Sequence, residues 1–180
     1  IKYKTKVDDE LVSNDSVSLG NGVYGAGKSA NGTTVGSYKE HWVTVEPEKM
    51  TKNGKQTVIE VNGQEVSVIE WRVVIKKNTN NLHGTVVIDT LGEGLTYFQQ
   101  KDIVIKHYDE NGENPVEEHL SWNNVQINGN SMSFPLPDGY MYEIVYYTTY
   151  EEPAAGEQKN FTNSVSATIN GKYETAGGEA

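Results

Sequence analysis

The sequence contains no cysteine, so no disulfide braces the fold. A reducing cytosol is compatible with that, and so is a cell surface whose proteins avoid disulfides. No stretch is apolar for long enough to span a bilayer, and neither a signal peptide nor a sorting motif is present. Positive charge is scarce: 15 Lys and Arg stand against 25 Asp and Glu, a net charge of -10 at pH 7. That balance argues against a nucleic-acid partner and against an anionic membrane, whether bound or inserted into. No window of useful length carries a 3.6-residue apolar period, so no helix beyond a single turn is expected.

Eleven tyrosines, three tryptophans and eighteen glycines, with many Val and Thr, favour strands and turns. A hydrophobic share of 36% suits two packed sheets whose outer faces are wet. The 180 residues leave room for one large domain, or for one domain and part of another. The chain opens on Ile1-Lys-Tyr3 without Met and stops at Gly-Gly-Glu-Ala180, and is expected to be cut from something longer.

Along the chain, Ile1-Lys-Tyr-Lys-Thr-Lys-Val7 alternates like a strand, turns at Asp8-Asp-Glu10 and returns through Asp15-Ser-Val-Ser-Leu19. Residues 20–40 are rich in Gly, Ser, Asn and Thr, the composition of a loop or linker with at most a weak strand. Trp42-Val-Thr-Val45 reads as a strand and Pro47 as a kink. Met50-Thr-Lys52 leads into a turn at Asn53-Gly54. Thr57-Val-Ile-Glu-Val61 and Glu65-Val-Ser-Val68 flank Asn62-Gly63 as a hairpin. Ile69, Trp71, Val73 and Ile75 then share one strand face. Further strands are expected at 102–108 and 140–148, a hairpin over Asn128-Gly129, and a last strand at 161–169. Many short strands joined by Asn-Gly turns predict an all-β antiparallel sandwich.

The two ends of the chain repeat one another. Ile1-Lys-Tyr3-Lys-Thr5 matches Ile144-Val-Tyr146-Tyr-Thr148, Asn14-Asp-Ser-Val17 matches Asn163-Ser-Val165, and Asn21-Gly22-Val-Tyr24 matches Asn170-Gly171-Lys-Tyr173. Residues 1–40 are therefore expected to be the closing strands of a preceding repeat plus a Gly/Ser-rich linker. Residues 41–180 would then make one complete repeat.

The stretch Thr85-Val-Val-Ile-Asp89-Thr-Leu-Gly-Glu-Gly94-Leu-Thr-Tyr97 organises the rest. Val86 and Ile88 share one strand face, and Val87 and Asp89 the other. A lone acid near a strand end is either a solvated turn-former or a carboxyl at the edge of the core, kept uncharged by apolar neighbours.

Taken together the motifs resemble the immunoglobulin-like repeats of Gram-positive surface adhesins and pilins of the collagen-adhesin type. The resemblance rests on Lys52-Asn-Gly54, Ile69-x-Trp71-x-Val73-x-Ile75, Ile88-Asp89-Thr90-Leu91, Tyr142-x-Ile144-x-Tyr146 and Phe161-Thr-Asn163-Ser-Val165, over residues 41–175. It implies a Greek-key immunoglobulin-like β-sandwich and a stalk or adhesin module on the cell wall. Its partners would be adjacent repeats of the same chain, and a host matrix protein or a glycan. Many such domains carry an intramolecular isopeptide bond from a first-strand lysine to a last-strand asparagine, promoted by an acid on a middle strand. By motif these are Lys52, Asn163 and Asp89, with Lys49 and Lys55 as the competing lysines and Trp71 in the apolar shell.

Those residue types suit the reaction. A charged ammonium is no nucleophile, so the lysine must be desolvated, and the asparagine offers an amide carbon with ammonia as leaving group. A protonated carboxyl can donate to the amide oxygen and shuttle protons. Such a reaction runs once within one chain, so an enzyme is not implied. The same three residues would also suit a buried hydrogen-bond cluster that never reacts.

Other constellations point elsewhere only weakly. His41, His83, His107 and His119 lack metal-ligand spacing, and no cofactor or metal is expected. Asp109-Glu-Asn-Gly-Glu-Asn114 offers oxygens to calcium but lacks the EF-hand order, and reads as an acidic hairpin tip. No nucleophile elbow and no phosphate loop are present. Tyr140, Tyr142, Tyr146, Tyr147 and Tyr150 with Trp122 form either a sugar-stacking platform or core packing. A ligand-binding sandwich, or an accessory β-domain of a secreted enzyme, is the alternative to a stalk repeat.

Overall fold

A computed structural model of the chain describes residues 17–28, 30–32, 34–45 and 49–180. The strand expected at residues 1–7, its turn at 8–10 and the kink at Pro47 lie outside the described residues. The chain divides into two compact units, Ile1–Pro47 and Glu48–Ala180.

In the first unit, β1 (Val17–Lys28) and β2 (Thr34–Val45) pair antiparallel along their whole length, from Val17 opposite Val45 to Lys28 opposite Thr34. A loop or linker at 20–40 is thus replaced by a hairpin whose turn holds Gly32 at φ 83°. Composition misleads here because glycine weakens a strand only where nothing covers it. The ring of Trp42 lies across Gly20, its cross-strand partner, so close that a Cβ would meet it at 2.8 Å.

The second unit is a two-layer antiparallel sandwich. One sheet contains β3 (Met50–Val61), β4 (Gln64–Ile75), β7 (Ile103–Tyr108), β8 (Val116–Leu120) and β11 (Met141–Tyr150), in the order β3-β4-β11-β7-β8, with the short β6 (Leu95–Tyr97) also on β11. The other contains β5 (Val86–Leu91), β9 (Gln126–Asn128), β10 (Ser131–Pro135), β12 (Thr162–Ile169) and β13 (Lys172–Glu179), in the order β13-β12-β5-β10-β9. The chain passes repeatedly between the layers, as the expected Greek-key immunoglobulin-like sandwich requires. One 3-10 turn, Trp122–Asn124, is the helical element among the described residues of this unit.

Alternation fixes what faces inward. Ile69, Trp71, Val73 and Ile75 of β4 are each at most 1% exposed and meet Tyr142, Ile144 and Tyr146 of β11 along the register. From the facing layer come Val87, Val165, Ala167 and Ile169, all buried, while Val86 and Ile88 of β5 point outward. The β3–β4 hairpin turns at Asn62-Gly63, where φ of 54° and 78° suits the two-residue turn. Beyond the main core, Val68, Phe98 and Tyr147 form a smaller apolar cluster against that hairpin's outer part.

Two local expectations fail, and both failures involve close backbone approach. No turn forms at Asn53-Gly54, since β3 runs straight through. Gly54 is needed for contact: a Cβ there would lie 2.6 Å from the Trp71 ring, 2.7 Å from the Ala180 Cβ and 2.9 Å from the Glu179 carbonyl. Nor is 161–169 the last strand, for Asn170-Gly171 turns the chain into β13. Gly178 brings β13 against the Lys52 backbone, where a Cβ would meet the Lys52 carbonyl oxygen at 3.1 Å. The Ala-Gly-Gly run carries little strand propensity, which hid β13 in the sequence. Gly54→Ala is expected to destabilise the chain by about 1–3 kcal/mol through overpacking. Urea unfolding measures it, and an unchanged midpoint would mean that β13 does not pack there.

Candidate functional site

Three strands from two layers bring Lys52, Asp89 and Asn163 together. Lys52 shares the inner face of β3 with Met50, and both are buried. Asp89 is on the inner face of β5, between Val87 and Leu91, at 1% exposure. Asn163 opens the inner face of β12 at 3% exposure, opposite Leu91, while Val165 pairs with Asp89 itself. Of the competing lysines, Lys55 is exposed and Lys49 only half-buried. β12 is the penultimate strand of the sandwich, so a Lys52–Asn163 link would tie the first strand of this unit to the last but one.

The three side chains converge on the hydroxyl of Tyr146, which β11 presents from the same layer as Lys52 and opposite Asp89 and Asn163. Lys52 Nζ donates to that hydroxyl at 2.6 Å and Asn163 Nδ2 donates to it at 2.9 Å. The hydroxyl donates in turn to Asp89 Oδ2, which also takes a hydrogen bond and ion pair from Lys52 Nζ. Tyr97 occupies the other carboxyl oxygen, donating to Oδ1 at 3.0 Å. The side-chain oxygen Oδ1 of Asn163 is buried without a partner.

Trp71 and Tyr146 wall the lysine, each ring centroid 5.3 Å from Nζ. The Trp71 indole N–H is tied to Thr148 Oγ1 at 2.9 Å, which fixes the ring. Burial pushes Lys52 down to about 8, against the opposing pull of the Asp89 charge and hydrogen bond. Burial also raises the Tyr146 phenol well above its ordinary value, with the Asp89 charge adding to it, and the Tyr97 phenol rises for the same two reasons. Both tyrosines stay neutral donors. A protonated amine stripped of water is costly to keep charged. Burial thus loosens the proton on Lys52 Nζ, and its loss would expose a nucleophilic nitrogen beside an amide.

Sequence reasoning gathered Lys52, Asp89, Asn163 and Trp71 but missed Tyr97 and Tyr146 as members of the site. Alternation places Tyr146 on the same strand face as Tyr142. It could not tell which inward side chain would reach across the core to the carboxyl.

The remaining candidates disperse. Tyr142 and Tyr146 are at most 1% exposed, and Trp122 and Tyr147 are buried too, so these tyrosines build cores and not a sugar platform. Asp109 spends its side chain on its own turn, accepting from the backbone of Asn111 and Glu113 and from the Asn114 amide. His83, His107 and His119 each lie beside a different carboxylate, those of Asp138, Glu118 and Glu117. Among the described residues no group of three or more His, Asp or Glu could hold a metal ion. No helix among them is long and apolar enough to cross a membrane.

No protein-family model matches the chain, and no curated protein matches it. Among solved structures, the chain is similar to a collagen-binding domain from a Staphylococcus aureus adhesin, at 14% identity and a TM-score of 0.49, with 76% of this chain and 100% of that one covered. It is also similar to the collagen-binding subdomain of the Enterococcus faecalis surface protein ACE, at 14% identity and a TM-score of 0.47, covering 75% and 97%. A third likeness is to the collagen-binding domain of the Erysipelothrix rhusiopathiae surface protein RspB, at 12% identity and a TM-score of 0.45. That match covers 89% of this chain, which spans 59% of the length of the other.

Proposed function

We propose that the second unit, residues 48–180, is a structural repeat of a cell-wall-anchored, extracellular adhesin or pilus protein, stiffened by a self-formed isopeptide bond between Lys52 and Asn163. The observation that carries this reading is the meeting of an amine, an amide and a carboxyl from three strands in a dry interior, with the amine pushed down to about 8. A buried set of this kind is an expensive way to gain stability if it never reacts. The unit of residues 1–47 belongs on this reading to a preceding repeat, and neighbouring repeats are the module's partners. A host matrix protein or glycan would meet an exposed face of the sandwich, since the inward tyrosines are out of reach.

The step balances within the chain. Asp89 takes one proton from the Lys52 ammonium. The amine nitrogen adds to Asn163 Cγ, and the Cγ–Nδ2 bond of the resulting tetrahedral intermediate then breaks. A second proton from the attacking nitrogen passes to the departing one, and ammonia leaves while Asp89 keeps the first. Nothing is oxidised, and the site is consumed by its own reaction.

Mass spectrometry tests this. The wild-type chain is expected to be lighter by one ammonia, with digestion yielding one branched peptide joining Lys52 to Asn163. Digestion matters because cyclisation at any of the seven Asn-Gly pairs also expels ammonia. Asp89→Ala and Asn163→Ala are expected to lack the branched peptide. A folded wild-type chain without it would sink the proposal.

A further inference from the structure

The reaction as written leaves Tyr146 idle, although its hydroxyl touches Lys52, Asp89 and Asn163 at once. Two lone pairs and one proton are all in use: it accepts from the amine and the amide, and donates to the carboxyl. Meanwhile Asn163 Oδ1 is buried with no donor. A half-turn of that amide exchanges its oxygen and nitrogen. Oδ1 then takes the position that Nδ2 holds, 2.9 Å from the phenol oxygen. Negative charge grows on that oxygen as the amine adds to Cγ, and a neutral donor aimed at it in a water-free site lowers the barrier most. The first proton transfer releases the donor. Once Asp89 carries the proton from Lys52, its carboxyl no longer draws the phenol O–H as a carboxylate does.

We propose that Tyr146 is a catalytic residue of the cross-linking site, its hydroxyl holding amine and amide on one oxygen and then turning its hydrogen bond from Asp89 to the Asn163 carbonyl as the tetrahedral intermediate forms. The inference rests on the Lys52–Asn163 reading above. No proton leaves the phenol, so the balance of the reaction is unchanged. Tyr97 is the internal contrast, because it reaches Asp89 Oδ1 without any hydrogen bond to Lys52 or Asn163.

The test follows the full chain through a pulse of cell-free synthesis, with the branched peptide quantified against time. Tyr146→Phe is expected to slow its appearance by about 100-fold, the scale of one lost oxyanion donor, and Tyr97→Phe by less than about tenfold. A folded Tyr146→Phe chain that reacts within about threefold of wild type overturns the role of the hydroxyl. Near-UV dichroism reports folding. If Tyr146→Phe does not fold, para-aminophenylalanine at position 146 restores an N–H donor on the same ring. That chain is expected to react within about tenfold of wild type, and a folded chain that does not react overturns the proposal. A wild-type chain that never forms the bond overturns the cross-link itself and this role with it. A reacting wild type beside an equally fast Tyr146→Phe overturns this role alone.

Discussion

Pulled from its two ends to full extension, the wild-type chain is expected to stop about 380 Å short of Asn163→Ala, the length of roughly 110 extended residues. Lys52 is the third residue of β3 and Asn163 the second of β12. A covalent bond between them takes the load past every strand from β4 to β11 and leaves those strands unloaded. Only the chain outside the bond can peel: β13, the rest of β12 and the unit of residues 1–47. In Asn163→Ala the same pull runs through the hydrogen-bonded ladder of the β3–β4 pair and then through the rest of the sandwich, which unravels. Single-molecule extension measures the difference as missing contour length, which does not depend on loading rate. Equal lengths for the two chains would remove the mechanical role.

The sandwich was legible because its signals are local. The hairpin at Asn62-Gly63 and the inward row from Ile69 to Ile75 follow from alternation and turn chemistry alone, and the structure has both. So does the parity of β5, which buries Asp89 beside Val87 and turns Val86 and Ile88 out. What stayed illegible depends on partners distant in the chain. Gly54 looks like half of a turn until Trp71 and Ala180 are seen pressing on it. The Ala176-Gly177-Gly178 run looks like a tail until β3 is found against it. Gly20 looks like linker until Trp42 covers it. The site divides the same way. The family resemblance named the amine, the acid and the amide, whereas the phenol joining them lies 57 residues from Asp89 and 94 from Lys52. No periodicity links positions so far apart.

Asn163→Ala is also expected to lower the stability of the second unit at neutral pH by about 4–5 kcal/mol, the chain-entropy value for opening a loop of roughly 110 residues. Part of that loss should return in alkali, and the sign follows from Lys52. Without the bond, the amine titrates at its ordinary 10.5 in the unfolded chain and at about 8 in the folded one. Between those values the unfolded chain binds more protons, so stability rises with pH by about 1.4 kcal/mol per unit, or roughly 2 kcal/mol by pH 9.5. Below about 8 both states hold the proton, and the penalty for burying the charge is constant. Above 10 the trend reverses, because Tyr97, Tyr142 and Tyr146 are held above the ordinary phenol value of 10.0 only when folded. The unfolded chain then sheds those protons first. Urea unfolding of Asn163→Ala across this range is expected to give a maximum near pH 9.5–10, and Lys52→Met in the same background should remove the rising limb. A wild-type chain with the bond in place should lack that limb as well, since an amide nitrogen has no such proton to lose. If Asn163→Ala matches wild type at neutral pH, the bond adds no stability, and if it shows no rise above pH 8, burial does not hold the Lys52 amine down.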